Sequence, residues 1–543
     1  MIGVVAGEPE HAAVAEFFEL FKTPWEFCRP GKRYDVLLCS NDRIPENDAA
    51  LLVIYGSRRN TFCQREGIRT KTTHGPRPIT VRGERIPIYG QCLLFETGTD
   101  DVLFYRAQRS FASATTVAGH QWVVCIGFDL FQEVGHLLTV GQPPEFAGTP
   151  TLELHIAVLR NLILSERLPF VEILPAPAGH RFIVCLTHDV DQPRVHYHRF
   201  DHTMFGFLYR ALVGSTVQLC RGRRSLGQVA INWKAAISLP FVFAGLANDF
   251  WDQINEYLKL EKDLPSTFFV IPVKGDPGLD PKGRARAKRA ASYDLADVSR
   301  DLEKLHFAKR EIGVHGIDAW RDDAKGRVER ERIQQVTSAD HIGARMHWLY
   351  FDAEAPIALE KAGFAYDSTV GYNETIGYRA GTTQVFKPLN VDYLLELPLH
   401  IMDTALFYSS HMNLSDEQAS AAMRPLIENA SSFGGVLTAN WHDRSLGPER
   451  LWNEPYRQLL QELKVRQPWF ATASDTVSWF RKRRATRIEN ATNDGNAVRA
   501  SVCVYENVNS LPALVARVYT PIRLDHRFLD VPIDKSTIIE VSI

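Results

Sequence analysis

The chain has 543 residues, of which 45% are hydrophobic and 23% are charged. These fractions exclude an intrinsically disordered chain and a polytopic membrane protein, and at roughly 150 residues per domain the length predicts three or four domains. The formal net charge is -2, which gives no electrostatic reason to expect a nucleic-acid partner.

The N-terminal residues predict neither secretion nor membrane insertion. The opening MIGVVAGE lacks the basic and apolar regions of a secretory signal. The most lipid-compatible stretch, residues 237–246, is shorter than the roughly 20 residues that span a bilayer. The cysteines are scattered without a C-x-x-C pair, which predicts buried, reduced thiols. The sequence thus predicts a cytoplasmic protein without a transmembrane segment, and it leaves peripheral membrane association open.

The first 180 residues divide into two parts. Residues 1–150 alternate short apolar runs with polar loops, and this pattern predicts an N-terminal α/β accessory domain. No glycine-rich phosphate loop follows the predicted strands, so a nucleotide site is not expected there. Residues 151–180 predict a helix at 152–164 and a linker rich in proline and glycine.

Residues 181–484 alternate strand and helix patterns. Seven short apolar runs predict strands at 182–186, 266–271, 311–314, 364–366, 394–397, 435–439 and 469–471. Parallel strands joined by helices predict a barrel-like or doubly wound α/β domain. Residues 203–250 interrupt this order with an amphipathic insertion, which is interpreted as a lid, a partner surface or a membrane-contacting element. Residues 485–543 predict a small β-rich C-terminal region.

Polar side chains follow several of the predicted strands. Asp189 and Asp191 come after the strand at 182–186, and residues two apart in an extended segment share a face. His315 directly follows the strand at 311–314, and His442 lies three residues after the strand at 435–439. Catalytic groups collect at the carboxyl ends of parallel strands. Two carboxylates at such an edge need a cation or a proton between them, so a metal or catalytic site is expected here.

The order of these segments resembles the polysaccharide deacetylase superfamily, the carbohydrate esterases (family 4 type) that share a NodB-like domain. The segments are FIVCLTHDVD (182–191), STFFVIP (266–272), EIGVHG (311–316), GARMHW (343–348) with AGFAYDST (362–369), and GVLTANWH (435–442). The resemblance covers roughly residues 180–484. It implies a NodB-like deformed (β/α) barrel and a metal-dependent hydrolase that removes N-acetyl groups from an amino-sugar-containing saccharide or glycoconjugate precursor.

The resemblance also implies a role for each matching residue. Asp189 matches the general base, Asp191 a metal-binding aspartate and His315 the first metal-binding histidine. Arg345 would orient the base, and His442 would protonate the leaving amine. The family's adjacent Asp-Asp pair is Asp-Val-Asp in this chain, so the roles of Asp189 and Asp191 could be exchanged.

The expected cofactor is a divalent metal, with zinc as the first candidate, because mixed nitrogen and oxygen ligands with an open position suit zinc. The family's second histidine, four positions after the first, falls on Ala319 in this chain. Asp318 is the expected third ligand, and His347 is a looser candidate.

Three residues near the third motif, Trp348, Tyr372 and Arg379, are expected to bind the saccharide, although aromatic side chains there could equally fill the mouth of a barrel. The basic segment 282–289 is interpreted either as a solvated loop or as a binding site for an anionic sugar or a lipid phosphate. Glu396 and Asp403 are candidates for contacts that support the site.

Three alternative functions remain open. A catalytically inactive saccharide-binding or scaffold protein of the same fold is favoured by the missing second histidine. Hydrolysis of another linear or cyclic amide uses the same groups. A glycosyltransferase would use Asp189-Val-Asp191 to chelate the metal of a nucleotide-sugar, but this leaves His315, Arg345 and His442 without a role. The sequence carries no prediction of oligomeric state.

Overall fold

The computed structural model of the protein describes residues 1–40, 44–65, 67–96, 102–109, 120–493, 497–505, 510–521 and 526–542. The first strands are β1 (Ile2–Val5), β2 (Trp25–Phe27), β3 (Val36–Cys39), β4 (Leu51–Tyr55), β5 (Thr70–His74), β6 (Arg77–Val81), β7 (Glu84–Ile88), β8 (Gln91–Phe95), β9 (Leu103–Arg109), β10 (His120–Ile126) and β11 (Phe170–Ile173). Six of these strands form one sheet in the order β2-β1-β3-β4-β10-β9, with only β9 antiparallel to its neighbour.

Four helices accompany this sheet: α1 (His11–Phe21), α2 (Thr61–Arg65), α3 (Leu130–Thr139) and α4 (Thr151–Ser165). Asp129 is the N-cap of α3, and its carboxylate accepts hydrogen bonds from the backbone N–H groups of Phe131 and Gln132. Apolar residues of α1, α3 and α4 pack with the strands into one hydrophobic core. The strands β5 and β8, and β6 and β7, form two further antiparallel pairs.

A nine-stranded parallel sheet dominates the middle of the chain. Its strands are β12 (Ile183–Val190), β13 (Thr267–Val270), β14 (Glu311–Gly316), β15 (Gly343–Met346), β16 (Tyr366–Asp367), β17 (Leu395–Glu396), β18 (Ile401–Met402), β19 (Val436–Asn440) and β20 (Trp469–Ala471). The order is β17-β16-β15-β14-β13-β12-β19-β18, and β20 also pairs with β12. No pairing among the described residues joins β17 to β18, so the curled sheet is open. The predicted α/β class with a deformed barrel is confirmed in this form.

Helices connect most of these strands. They are α8 (Ile254–Leu260), α9 (Ser299–Phe307), α10 (Asp323–Thr337), α11 (Ala355–Ala362), α12 (Asp403–Phe407), α13 (Asp416–Phe433), α14 (Asn453–Val465) and α15 (Ala473–Ala485). Every residue of β12, β13 and β19 is buried, which is why these strands read as continuous apolar runs in the sequence. Their carboxyl ends, where the polar residues follow, lie at one edge of the sheet.

The insertion between β12 and α8 is helical. It consists of α5 (His202–Leu208), a π-helical turn (Tyr209–Gly214), α6 (Ser215–Cys220) and α7 (Leu226–Phe243). The helices share a small hydrophobic core that includes Phe207, Ala211, Leu239 and Trp251. In the described part of the chain, no helix combines the length and the apolar character needed to cross a membrane.

The C-terminal strands are β21 (Arg487–Asn493), β22 (Ala497–Cys503), β23 (Leu514–Pro521), β24 (His526–Ile533) and β25 (Thr537–Ser542). They form two small sheets, β21-β22-β25 and β11-β23-β24. The segment interpreted as a linker therefore contributes β11 to a sheet with strands of the C-terminal region. Such a pairing between distant parts of the chain leaves no local signal in the sequence.

Candidate metal and catalytic site

The candidate site is a cleft at the carboxyl ends of the central strands, with a volume of about 430 Å³. β12 supplies Asp189 and the adjacent Asp191, β14 supplies His315, and His442 follows β19. Residues lining the cleft include Asp189, Asp191, His315, His347, Trp348 and His442. The parallel register explains this convergence, because neighbouring strands end at the same edge.

Asp191, His315 and His347 form the candidate metal site. The Oδ1 atom of Asp191 lies 3.2 Å from Nε2 of His315 and 3.5 Å from Nε2 of His347. One ligand atom from each residue can be chosen so that all three lie within 4.8 Å of one another. This set of one carboxylate and two imidazoles matches the ligands that zinc and related divalent ions take in proteins.

Two further observations show that these residues fit a cation. His315 Nδ1 lies 2.9 Å from the backbone oxygen of Arg345. A carbonyl only accepts, so Nδ1 donates its proton there, which leaves Nε2 as the ring atom that faces the cluster and can bind a cation. The buried Asp191 Oδ1 has no hydrogen-bond partner among the described residues. A bound cation satisfies both facing acceptors.

His347 is held in the form a metal ligand needs. Burial lowers its pKa to about 3, so the ring is neutral at physiological pH. Its backbone oxygen accepts hydrogen bonds from the buried Arg289 guanidinium, at 3.0 Å from Nη2 and 3.2 Å from Nε. Arg289 also donates to the backbone oxygen of Ile317, which follows β14. It thereby ties the segment that carries His347 to the end of the strand that carries His315.

The structure does not bring Asp318 to this cluster, and His347 replaces it as the third candidate ligand. The Asp318 carboxylate accepts hydrogen bonds from the backbone N–H of Leu279, at 2.9 Å, and from Lys325 Nζ, at 2.7 Å. Its charge is therefore already compensated by an ammonium group. Sequence distance from His315 was a poor guide, because the chain turns away from the cleft after β14.

Asp189 is a buried carboxylate held by two donors. Arg345 Nη1 donates to Oδ1 at 3.1 Å, and Asn440 Nδ2 donates to Oδ2 at 2.8 Å. Burial alone would raise the pKa of Asp189, but the Arg345 guanidinium holds it below its usual value. Arg345 itself is oriented by donating to Thr187 and Ser368. The predicted pairing of Arg345 with Asp189 is thus present in the structure.

Substituting Arg345 with methionine is expected to destabilise the fold by about 3–5 kcal/mol, because it leaves a buried carboxylate with one neutral donor. Urea unfolding measures this loss. The matched control is Arg327→Met, which breaks an ion pair with Asp323 whose side chains are about half exposed and should cost less than about 1 kcal/mol. Equal losses in the two variants would contradict the assigned role of Arg345.

His442 pairs with a second buried carboxylate. Its Nδ1 lies 2.6 Å from Asp403 Oδ1, and its backbone N–H donates to Asp403 Oδ2 at 2.8 Å. Burial would lower the pKa of His442, but the Asp403 charge and hydrogen bond outweigh it and raise the pKa to about 10. The ring is therefore protonated at neutral pH, with Nε2 lying 3.9 Å from Asp191 Oδ2. The sequence analysis named Asp403 as a candidate supporting residue but did not predict that it pairs with His442.

Of the three predicted saccharide-binding residues, the structure places only Trp348 at the cleft. Trp348 lines it and is 39% exposed. Tyr372 is buried, and its hydroxyl donates to the backbone oxygen of Gln142 at 2.6 Å. The Arg379 guanidinium donates to the backbone oxygen of Gly371 at 3.0 Å, and the Arg379 backbone oxygen accepts from Gln142 N–H. Tyr372 and Arg379 thus pack against the N-terminal third of the chain.

Residues 282–288 of the basic segment 282–289 are exposed to solvent. Arg284 and Arg286 both donate to the Asp280 carboxylate, and Arg289 is buried behind His347. Cleft residues that the sequence did not suggest include Asn373, Tyr408 and His411. They come from loops and from the end of α12, where no periodic pattern marks them.

Comparison with known proteins found no matching family model and no matching curated protein. Solved structures do match. A protein described as a polysaccharide deacetylase from Mycobacterium smegmatis is 17% identical, with a TM-score of 0.35, and the match covers 60% of this chain and 100% of that chain. A second protein described as a polysaccharide deacetylase, from Pseudomonas aeruginosa PAO1, is 15% identical, with a TM-score of 0.34, and the match covers 56% of this chain and 92% of that chain. Puue allantoinase is 14% identical, with a TM-score of 0.34, and the match covers 56% of this chain and 91% of that chain. Overlaps of this size do not establish function, so the function proposed below follows from the side chains.

Proposed function

We propose that the protein is a metal-dependent hydrolase that removes N-acetyl groups from an amino-sugar-containing saccharide or glycoconjugate precursor. The proposal is carried by one observation: a candidate metal site, an anionic carboxylate and a cationic imidazole lie together in a single cleft. The metal site consists of Asp191, His315 and His347. His315 Nε2 lies 3.9 Å from the Asp189 carboxylate, and Asp191 Oδ2 lies 3.9 Å from His442 Nε2. Amide hydrolysis uses each of these groups once.

Asp191, His315 and His347 would hold the divalent ion, with zinc as the first candidate for this ligand set. A divalent ion at this position supplies Lewis acidity to the amide carbonyl and lowers the pKa of a water molecule. Asp191 is a better ligand than Asp189, because both Asp189 oxygens already accept hydrogen bonds from Arg345 and Asn440. The two aspartates therefore keep the roles of base and ligand that the sequence resemblance implied.

Asp189 acts as the general base. Its depressed pKa keeps it ionised, so it is ready to accept a proton from the attacking water. Arg345 orients the carboxylate by fixing Oδ1, and Asn440 fixes Oδ2. Neither donor touches the substrate in this scheme, so both are positioning residues.

His442 acts as the general acid. The amide C–N bond breaks as His442 Nε2 gives its proton to the departing nitrogen, and acetate and a free amino sugar leave. Asp403 keeps Nδ1 protonated through its 2.6 Å contact and so turns Nε2 toward the cleft. A glycosyltransferase role for Asp189-Val-Asp191 would require both carboxylates to face a metal, which the hydrogen bonds to Asp189 oppose.

A panel of amides tests the substrate class. N-acetylated amino sugars, their oligomers and N-acetylated amino acids are assayed for acetate release, and a cyclic ureide, which carries no acetyl group, is assayed for its own disappearance. We expect acetate from at least one amino sugar and no turnover of the other classes. Turnover of the cyclic ureide alone would contradict the saccharide assignment. Binding of amino sugars without any turnover by the metal-loaded protein would contradict the hydrolase.

The variant Asp403→Asn is expected to move the alkaline limb of the pH–rate profile to lower pH by about one unit or more. In the wild type, the Asp403 charge outweighs burial and raises the pKa of His442 above its ordinary value of 6.5, so the protonated acid persists to a higher pH. Removing the Asp403 charge lowers this pKa, and activity then falls at a lower pH. The measurement is kcat against pH, and an unshifted alkaline limb would contradict the role given to Asp403.

A further inference from the structure

The helix α7 presents an apolar stripe to solvent. Leu226, Trp233, Ile237 and Phe241 are separated by seven, four and four residues, which places them on one face of an α-helix. They are 75%, 45%, 69% and 54% exposed. The opposite face is buried through residues that include Ala235, Ala236 and Leu239. The helix thus also directs large apolar side chains toward water, which is unusual for a surface helix.

The preceding helical segment, α5 to α6, repeats this arrangement. Phe205, Tyr209, Val213 and Val217 recur every four residues, and each is exposed. The inward side chains of this segment pack against those of α7 in the small core of the insertion. An exposed apolar surface of this extent on one element indicates an interaction site.

The charges within the insertion itself are almost all positive. Residues 203–250 contain five cationic side chains (Arg210, Arg221, Arg223, Arg224, Lys234) and one acidic side chain, Asp249. The Asp249 carboxylate is turned inward and accepts from the backbone N–H groups of Val195 and Trp251, each at 3.0 Å. Arg221, Arg223 and Lys234 are exposed, and within the described ranges no ion pair involves them. The surface therefore complements a negatively charged partner.

We propose that the insertion 203–250 binds the surface of an anionic lipid bilayer, with the apolar stripe of α7 at the headgroup boundary. Exposed apolar side chains combined with exposed Arg and Lys are what an interfacial helix requires. Trp233 and Tyr209 are the aromatic types that favour the membrane–water interface. Cations near an anionic bilayer each add to the attraction, whereas a second copy of this surface would bring like charges together.

The insertion is attached to the rim of the catalytic cleft. Arg224 Nη2 donates to the backbone oxygens of Glu449 and Arg450, at 2.9 Å and 3.2 Å. Arg450 Nη2 in turn donates to the Tyr408 hydroxyl at 2.6 Å, and Tyr408 lines the cleft. A bilayer in contact with α7 would therefore lie beside the cleft. This placement suits a lipid-linked glycoconjugate as substrate, an inference that rests on the proposed function.

Vesicle sedimentation of the full chain tests the proposal without any assay of catalysis. Vesicles of phosphatidylcholine with phosphatidylglycerol are compared with vesicles of phosphatidylcholine alone. We expect binding to the anionic vesicles and weaker binding to the neutral ones. Ile237→Asp/Phe241→Asp should lose about tenfold or more, since two exposed apolar side chains that would enter the bilayer become charged. Arg221→Gln/Arg223→Gln should weaken binding to the anionic vesicles by about tenfold.

The matched control is Phe307→Asp, which charges an apolar residue that is 83% exposed on α9, outside the insertion. This variant should bind vesicles like the wild type, and circular dichroism checks that all variants fold. Failure of the wild type to bind anionic vesicles would overturn the proposal. An equal loss of vesicle binding in Phe307→Asp would also overturn it. So would a wild-type protein that does not bind vesicles but forms a dimer in light scattering, if Ile237→Asp/Phe241→Asp is a monomer.

Discussion

Replacing His442 with alanine is expected to lower kcat by a factor of about 10²–10⁴ while leaving the metal in place. The structure gives His442 a protonated ring, aligned by Asp403 and facing the cleft. Without it, the departing nitrogen must take its proton from water. KM should change little, because the role assigned to His442 lies in the bond-breaking step.

The measurement is kcat and KM for acetate release, with metal content determined on the same preparation. His306→Ala, which removes an exposed imidazole from α9, serves as the control and should leave both constants unchanged. A variant His442→Ala with normal kcat and a raised KM would show that His442 binds substrate and does not supply the proton.

Replacing His347 with alanine is expected to lower the metal content from about one divalent ion per chain to less than about 0.1, because the site loses one of its three protein ligands. Turnover should fall with the metal. His315→Ala should behave in the same way, since its Nε2 faces the same Asp191 oxygen.

The control is Asp318→Asn, which replaces the carboxylate that the sequence favoured as third ligand. Asp318 is paired with Lys325 outside the cluster, so this variant should keep its metal. Plasma mass spectrometry on protein purified without a histidine tag measures the difference. Metal retained in His347→Ala and lost in Asp318→Asn would reverse the ligand assignment.

The central sheet could be predicted from the sequence because its main strands are buried on both faces. Each of the seven predicted strands overlaps an observed one. β15 and β18 were not predicted. β15 contains a glycine and an arginine, and β18 lies between His400 and Asp403, so neither forms an apolar run of its own.

The site was predictable where one strand delivers a side chain directly to the cleft, as for Asp189, Asp191, His315 and His442. The choice of third ligand depended on how the chain turns after β14, which sequence spacing does not contain. A signal for His347 did exist. It lies two positions after Arg345 at the end of β15, and residues two apart in an extended segment share a face.

Tyr372 and Arg379 illustrate the opposite case. Their residue types suit sugar binding, but the Tyr372 hydroxyl and the Arg379 backbone oxygen hydrogen-bond to Gln142, more than 200 positions away between α3 and α4. Packing between distant parts of a chain is decided by the whole fold, and an aromatic side chain in the sequence looks the same in a cleft or in an interface.

The measurement that tests metal-dependent deacetylation most directly is acetate release by the wild-type protein before chelation, after chelation and after zinc is restored. The proposed site predicts turnover of an N-acetylated amino sugar that disappears with the metal and returns when about one zinc ion per chain is bound. Unchanged turnover by the metal-free protein, or no turnover by the zinc-loaded protein, would contradict it.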